Sequence, residues 1–264
     1  MLGHLLKCQP SPNEIIVHVD AGDDQTAKQI EKKFPDVELI QSETTMGPGG
    51  GRNRLVDTVK NEWVASFDDD SWPIEANFFL NAQQVINESE SDLIACEIHE
   101  RDQPEAKSED QTLSPVSWFV GCGCLIRKSA FQDAGGFLPL RYAYGMEESD
   151  LAIKLIDRGS SLVYAPTLKV FHDCDRDSHH ANPKINAAQI SNIGLLCYLR
   201  YPLRCWPLGL AQVGNRVLFC IRKGRFKGIL SGLLNIPIAC WNNRSVRQPV
   251  SYNAFCISRS LRDC

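Results

Sequence analysis

Short β-branched runs alternating with amphipathic stretches constrain this chain more than any other feature. Glu14-Ile-Ile-Val-His-Val-Asp20 is an apolar run stopped by a carboxylate and Gly22, and it predicts a buried strand. Thr26–Phe34 reads as a helix ended by Pro35, and Val37–Ile40 as a second strand. Gly47-Pro-Gly-Gly-Gly51 predicts a flexible loop; it lacks the Gly-Lys-Ser/Thr ending of a phosphate-binding P-loop. Helical periodicity then runs over Arg52–Lys60, followed by a strand at Trp63–Phe67, a helix at Glu75–Glu88 and a strand at Asp92–Ile98. Such alternation predicts an α/β fold, a mostly parallel Rossmann-like sheet flanked by helices.

Polar, Pro- and acid-rich Arg101–Pro115 reads as a loop rather than a domain boundary. Beyond it come apolar, Gly-rich Val116–Arg127, a short helix at Ser129–Ala134, a Gly135-Gly136-Phe137 turn, a helix at Glu148–Arg158 and a strand at Ser161–Val170. After Asn186 the pattern is wholly helical, apolar and basic. From Leu195 to Cys264 there are 11 Lys/Arg and one acid, Asp263, although the whole chain carries a net charge of −4. The division expected is an acidic catalytic domain over residues 1–194 and a basic helical region over 195–264. The 11 cysteines form no C-x-x-C pair, and no secretory signal opens the chain, so a reducing, cytoplasmic setting is expected.

Two acidic segments could carry chemistry. Phe67-Asp68-Asp69-Asp70 ends an apolar strand, where open α/β sheets bind ligands. Three adjacent carboxylates repel one another unless a cation compensates. Asp68 and Asp70 fall on one side of an extended strand and suit a hard divalent ion, Mg²⁺ or Mn²⁺. An acidic turn capping the next helix would read the same way. The second segment, Gly145-Met-Glu-Glu-Ser-Asp-Leu151, opens a helix whose Glu147 and Asp150 share a face while Glu148 points elsewhere. Acids also complement a helix N-terminus without any catalytic role.

The order of these segments resembles glycosyltransferase family 2, inverting nucleotide-sugar transferases of the A-type fold, and most closely its rhamnosyl-transferase-like members. The motifs are Val19-Asp20-Ala21-Gly22-Asp23-Asp24 for the nucleoside, Asp68-Asp69-Asp70 for the metal, Gly121-Cys-Gly-Cys-Leu-Ile-Arg127 with Gly135-Gly136-Phe137 on the acceptor side, and Glu147-Glu148-Ser149-Asp150-Leu151. The resemblance implies an ion held by Asp70 with Asp68, and His172 near it or near the diphosphate. It implies Asp20 or Asp69 on the ribose or base, and Glu148 as the general base. Asp150 and Glu147 would orient the acceptor or substitute as bases. Gly121 belongs to the acceptor side, and Arg52 falls near the diphosphate. Trp72 and Trp118 are candidates for a sugar-stacking wall, although core packing is the commoner fate of a tryptophan. His179 and His180 read as surface residues, Cys122 and Cys124 as buried thiols. Family members open with an additional strand and carry a second Asp where this chain has Ala21, so part of the donor site is expected to be missing.

The expected partners are a nucleotide-sugar donor, a saccharide or lipid-linked saccharide acceptor, and an anionic membrane surface at its inner face. Nucleic acid is not expected, because the basic region lacks zinc ligands and RNA-binding aromatic motifs. Trp206, Leu210, Val213, Val217, Cys220 and Ile221 recur at three- and four-residue steps and predict an apolar stripe that lies on the membrane. A second apolar segment, Gly228–Trp241, follows it. The competing outcomes are a stripe packed on the catalytic domain and a degenerate, non-catalytic sugar-nucleotide binder.

Overall fold

Why the chain divides where it does follows from its apolar runs. A computed structural model describes residues 1–101, 111–140, 146–174 and 182–261. Strand β1 (Ile16–Val19) pairs in parallel with β2 (Glu38–Gln41). Helix α2 (Asp24–Lys33) connects them and is capped by the Asp23 carboxylate, which accepts the Thr26 N–H at 3.1 Å. A short helix, α1 (Leu2–Leu5), buries Leu2 and Leu5 against Val19, Ala27 and Ile30.

The remaining strands are β3 (Trp63–Ser66), β4 (Ser71–Pro73), β5 (Leu93–Glu100), β6 (Ser114–Pro115), β7 (Cys124–Arg127) and β8 (Leu162–His172). They form one sheet in the order β3-β7-β5-β8-β4, with β6 on β8. The longest ladder, β5 with β8, is parallel, whereas β7, β4 and β6 run antiparallel to their neighbours. Leu93-Ile94-Ala95-Cys96 at the start of β5 is buried throughout, as a strand covered on both faces must be. Among the described residues β1 is laddered only to β2 and β3 only to β7. Glu14 ties the starts of β1 and β3 together, its carboxylate accepting the Lys60 and Asn61 N–H groups at 2.9 and 3.2 Å.

Helices α3 (Gly47–Thr58), α4 (Phe78–Glu88), α5 (Lys128–Asp133) and α6 (Glu147–Asp157) cover the sheets, and α6 ends at Gly159 with φ +87°. Four more follow: α7 (Pro183–Arg200), α8 (Trp206–Arg222), α9 (Ile229–Asn242) and α10 (Tyr252–Ser260).

The Gly47–Gly51 run is not a loop. It is the first turn of α3, with Pro48 in the position where a missing N–H costs nothing. A Cβ on Gly51 would lie 2.6 Å from His18 Nδ1, and one on Gly49 would lie 3.0 Å from Phe137 Cβ. Glycine is what lets the helix start lie against β1 and the 137 turn. The boundary expected between 194 and 195 falls inside α7, whose Leu195 and Leu199 are buried in the main core. The stripe expected to face a membrane is only partly exposed. Val213 and Cys220 pack against Ile190 of α7, while Leu210 and Ile221 are exposed. His179 and His180, most of the 101–115 segment, Gly145, Arg262 and Asp263 lie outside the described residues.

Candidate active site

Strand β3 runs into Asp68-Asp69-Asp70, and the tight turn that follows is fixed by Ser71. Its hydroxyl accepts the Asp68 N–H at 2.8 Å and donates to the Cys122 carbonyl at 2.9 Å. The turn leads into β4, which pairs with the end of β8, so Ser71 lies opposite His172. The Asp173 N–H donates to the Asp70 carbonyl at 2.8 Å, and His172 Nε2 lies 3.4 Å from Asp70 Oδ1. Asp70 therefore meets His172 through strand pairing. Asp69 is exposed on the outside of the turn.

Arg52 is the hub of the site. It projects from α3 and donates Nη2 to Asp68 Oδ1 at 2.5 Å and Nη1 to Glu147 Oε1 at 2.8 Å. Burial alone would lower its pKa, but Asp68, Glu147 and Glu148 overrule that and push it upward, so the guanidinium is permanently charged. A Cβ at Gly121 would sit 3.1 Å from the Arg52 Cζ, so a larger residue there would press on the guanidinium. Gly121 also accepts the Ser66 hydroxyl at 2.8 Å and hydrogen-bonds Glu148 through its backbone.

The acids at the start of α6 differ in their surroundings. Burial first, and then repulsion from Glu148, push Glu147 up to about 7 against the pull of Arg52. Burial also raises Glu148, opposed by its own backbone N–H, by Arg52 and by the backbone of Gly121. Glu148 is partly exposed, and Glu147 is buried. Asp70 is raised as well, by burial and by Asp69 and Asp68, with His172 pulling the other way.

Three predicted site residues are held in structural contacts. The Asp20 carboxylate accepts three backbone N–H groups, from Ala21, Met46 and Gly47 at 3.0, 2.9 and 3.1 Å, and so fixes the start of α3. Those bonds outweigh the effect of burial and lower its pKa. Asp150 is fully buried, facing away from Glu148. It accepts Arg200 Nε at 2.6 Å and forms an ion pair with Lys154 Nζ at 3.0 Å. Trp72 stacks on His4 with centroids 4.8 Å apart and contacts Phe171 at 5.2 Å, whereas Trp118 is 52% exposed. The two tryptophans share no ring contact among the described residues. Arg200 was invisible as a site-supporting residue, since in sequence it is one of 11 Lys/Arg spread over the basic region 195–264. A cleft of about 380 Å³ lined by Gln41, Ser42, Glu43, Thr44, Met46 and Arg54 opens beside the Asp20 loop.

The chain belongs to glycosyl transferase family 2, which matches residues 4–142. It is 43% identical over 58 residues to N-acetylglucosaminyl-diphospho-decaprenol L-rhamnosyltransferase of Mycobacterium tuberculosis, a stretch covering 22% of this chain and 19% of that relative. Solved structures share the fold. Residues 1–349 of TarS from S. aureus superpose with a TM-score of 0.54 at 17% identity, covering 86% of this chain and 69% of that one. The mannosyltransferase PcManGT from Pyrobaculum calidifontis, solved with GDP-Man and Mn²⁺, gives 0.57 at 15% identity over 98% of this chain and 73% of its own.

Proposed function

We propose that this chain transfers a sugar from a nucleotide-sugar donor to a hydroxyl of a saccharide or lipid-linked saccharide acceptor, with inversion at the anomeric carbon and assistance from a divalent ion. The observation that carries this reading is the Arg52 bridge, which brings the acidic turn after β3 and the acids at the start of α6 together. PcManGT, which shares the fold, was solved with a nucleotide sugar and a divalent ion, GDP-Man and Mn²⁺.

The donor set fits such an ion. The Asp70 carboxylate and the His172 imidazole converge, and the neighbouring charges of Asp69 and Asp68 disfavour the ionised form of Asp70, which a cation would offset. When bound there, the ion would neutralise charge developing on the departing diphosphate. Asp68 acts through Arg52, and Asp69 faces outward toward the donor. The cleft beside Asp20 has the size of a small-ligand pocket and offers a seat for the nucleoside. Asp20 shapes that seat by holding the start of α3. Glu148 accepts the proton of the acceptor hydroxyl as its oxygen bonds to the anomeric carbon. The bond from that carbon to the diphosphate oxygen breaks, and the nucleoside diphosphate leaves with the electron pair. Glu147 stays pinned to Arg52, and Asp150 fixes the helix that carries both glutamates. A panel of nucleotide sugars, assayed for nucleoside diphosphate release with and without Mn²⁺, tests this reading. EDTA or Asp70→Ala should abolish release while the fold persists. Undiminished turnover in either case defeats it.

The helical region supports a peripheral position on an anionic membrane. Helix α9 packs on α7 through Gly232 and Ile236, close to Ile190 and Gly194. Its other face exposes Leu230, Leu233, Leu234, Ile238 and Trp241, which recur at helical spacing. Arg222, Lys223 and Lys227 are exposed beside this face, and the Arg244 guanidinium lies 4.3 Å over the Trp241 ring. Apolar residues, an aromatic and basic flanks suit the headgroup plane. No helix among the described residues is long and apolar enough to cross a membrane. Because α7 belongs to the core, the test is Leu234→Glu with Ile238→Glu rather than truncation. The pair should release the protein from phosphatidylserine-containing vesicles in sedimentation without changing its melting temperature, and unchanged pelleting counts against the surface.

A further inference from the structure

We propose that Cys174 is a third side-chain ligand of the ion held by Asp70 and His172, making the site select a borderline divalent ion such as Co²⁺ or Zn²⁺ over the hard ions Mg²⁺ and Mn²⁺. This rests on the metal-assisted reading above and extends it to a residue outside the acidic motif.

The argument starts from strand pairing. The turn after β3 and the end of β8 run antiparallel, with Ser71 opposite His172 and the Asp173 N–H bonded to the Asp70 carbonyl at 2.8 Å. In extended backbone, residues two apart face the same side, so Cys174 follows His172 onto the side that meets Asp70. The outcome is three ligand types gathered in one place. A carboxylate oxygen of Asp70, an imidazole nitrogen of His172 and the Cys174 sulfur all lie within 4.8 Å of one another, each partly exposed. Sulfur and nitrogen ligands of one tetrahedral zinc ion lie roughly 3.6 Å apart, given bond lengths of ~2.3 and ~2.1 Å. Small side-chain rotations close the difference.

The acidic turn also leaves the ion short of carboxylates. Asp68 is committed to Arg52 at 2.5 Å and is not among the convergent ligand atoms. A third protein ligand therefore comes from the strand opposite. Cys122 and Cys124 lie near the acidic turn in space but are buried, where lack of solvation holds the thiol of Cys124 up at about 12. An oxygen, nitrogen and sulfur set discriminates against Mg²⁺, which demands oxygen and water, and favours ions that accept imidazole and thiolate.

Co²⁺ titration of the full chain, followed by absorption, separates this proposal from the reading it rests on. The wild type should develop visible d–d bands together with a thiolate-to-cobalt charge-transfer band in the near ultraviolet. Cys174→Ser should lose the charge-transfer band, keep the d–d bands and bind Zn²⁺ at least about 10-fold more weakly, the scale on which even outer-shell changes act. Its Mg²⁺ affinity should be unaltered. Cys174→Asp should keep the ion but shift preference toward Mg²⁺ and Mn²⁺. A charge-transfer band identical in wild type and Cys174→Ser, or d–d bands with no charge-transfer band in the wild type, removes Cys174 while leaving the metal site standing. If Co²⁺ uptake is absent, or unchanged by Asp70→Ala, both readings fall.

Discussion

Exchanging Glu148 for glutamine should lower turnover by about 10²–10⁴-fold, the usual contribution of a positioned base, while donor affinity barely changes. Glutamine keeps the shape and can still accept the backbone N–H groups that hold Glu148, so the loss would report the missing proton acceptor. The pH dependence gives a second measure. Burial raises Glu148 above the ordinary carboxylate range, and Glu147 beside it is pushed up to about 7. A base works only when ionised, so the acid limb of kcat/KM should lie above the pH at which an ordinary carboxylate would place it. The limb belongs to the coupled pair. If Glu148→Gln weakens donor binding as much as turnover, Glu148 contacts nucleotide instead. An acid limb at an ordinary carboxylate pKa would contradict the burial argument.

Arg200→Met should be the most destabilising single change, costing about 3–5 kcal/mol, because removing one partner of a buried ion pair strands the other. The stranded group is Asp150, which is 0% exposed and retains only Lys154. Arg200 also donates to the Val246 and Gln248 carbonyls at 3.2 and 3.3 Å, so the segment before α10 loosens with it. Chemical denaturation measures the cost. Asp150→Asn with Arg200→Met should recover part of it, since the pair couples. Equal stability of Arg200→Met and wild type would show that the pair contributes nothing.

Strand ends, acidic motifs and the α/β class were legible because they are written in local periodicity and residue type. The glycine run was misread for a physical reason. Glycine is a poor helix former, at a cost of about 1 kcal/mol against alanine. Tertiary crowding by His18 and Phe137 nevertheless demands it in α3. Nothing local announces that crowding. Arg52 was legible as a basic residue near the site, but not as the link between Asp68 and Glu147, which lie 16 and 95 residues away along the chain. Spacing put Glu147 and Asp150 on one helical face, yet one binds Arg52 and the other Arg200. The helical region failed differently. Both sides of α8 and α9 are apolar, so periodicity located the helices without saying which side packs on α7.

Recombination with a relative must respect helix α7. A crossover at the composition break near 194 would cut a continuous helix and separate Arg200 from Asp150. The natural splice lies before Pro183, and the incoming segment must bring an arginine in register with Asp150. In a chimera lacking it, the helix that presents Glu148 would lose its anchor, and the catalytic half would fail for want of a residue in the other.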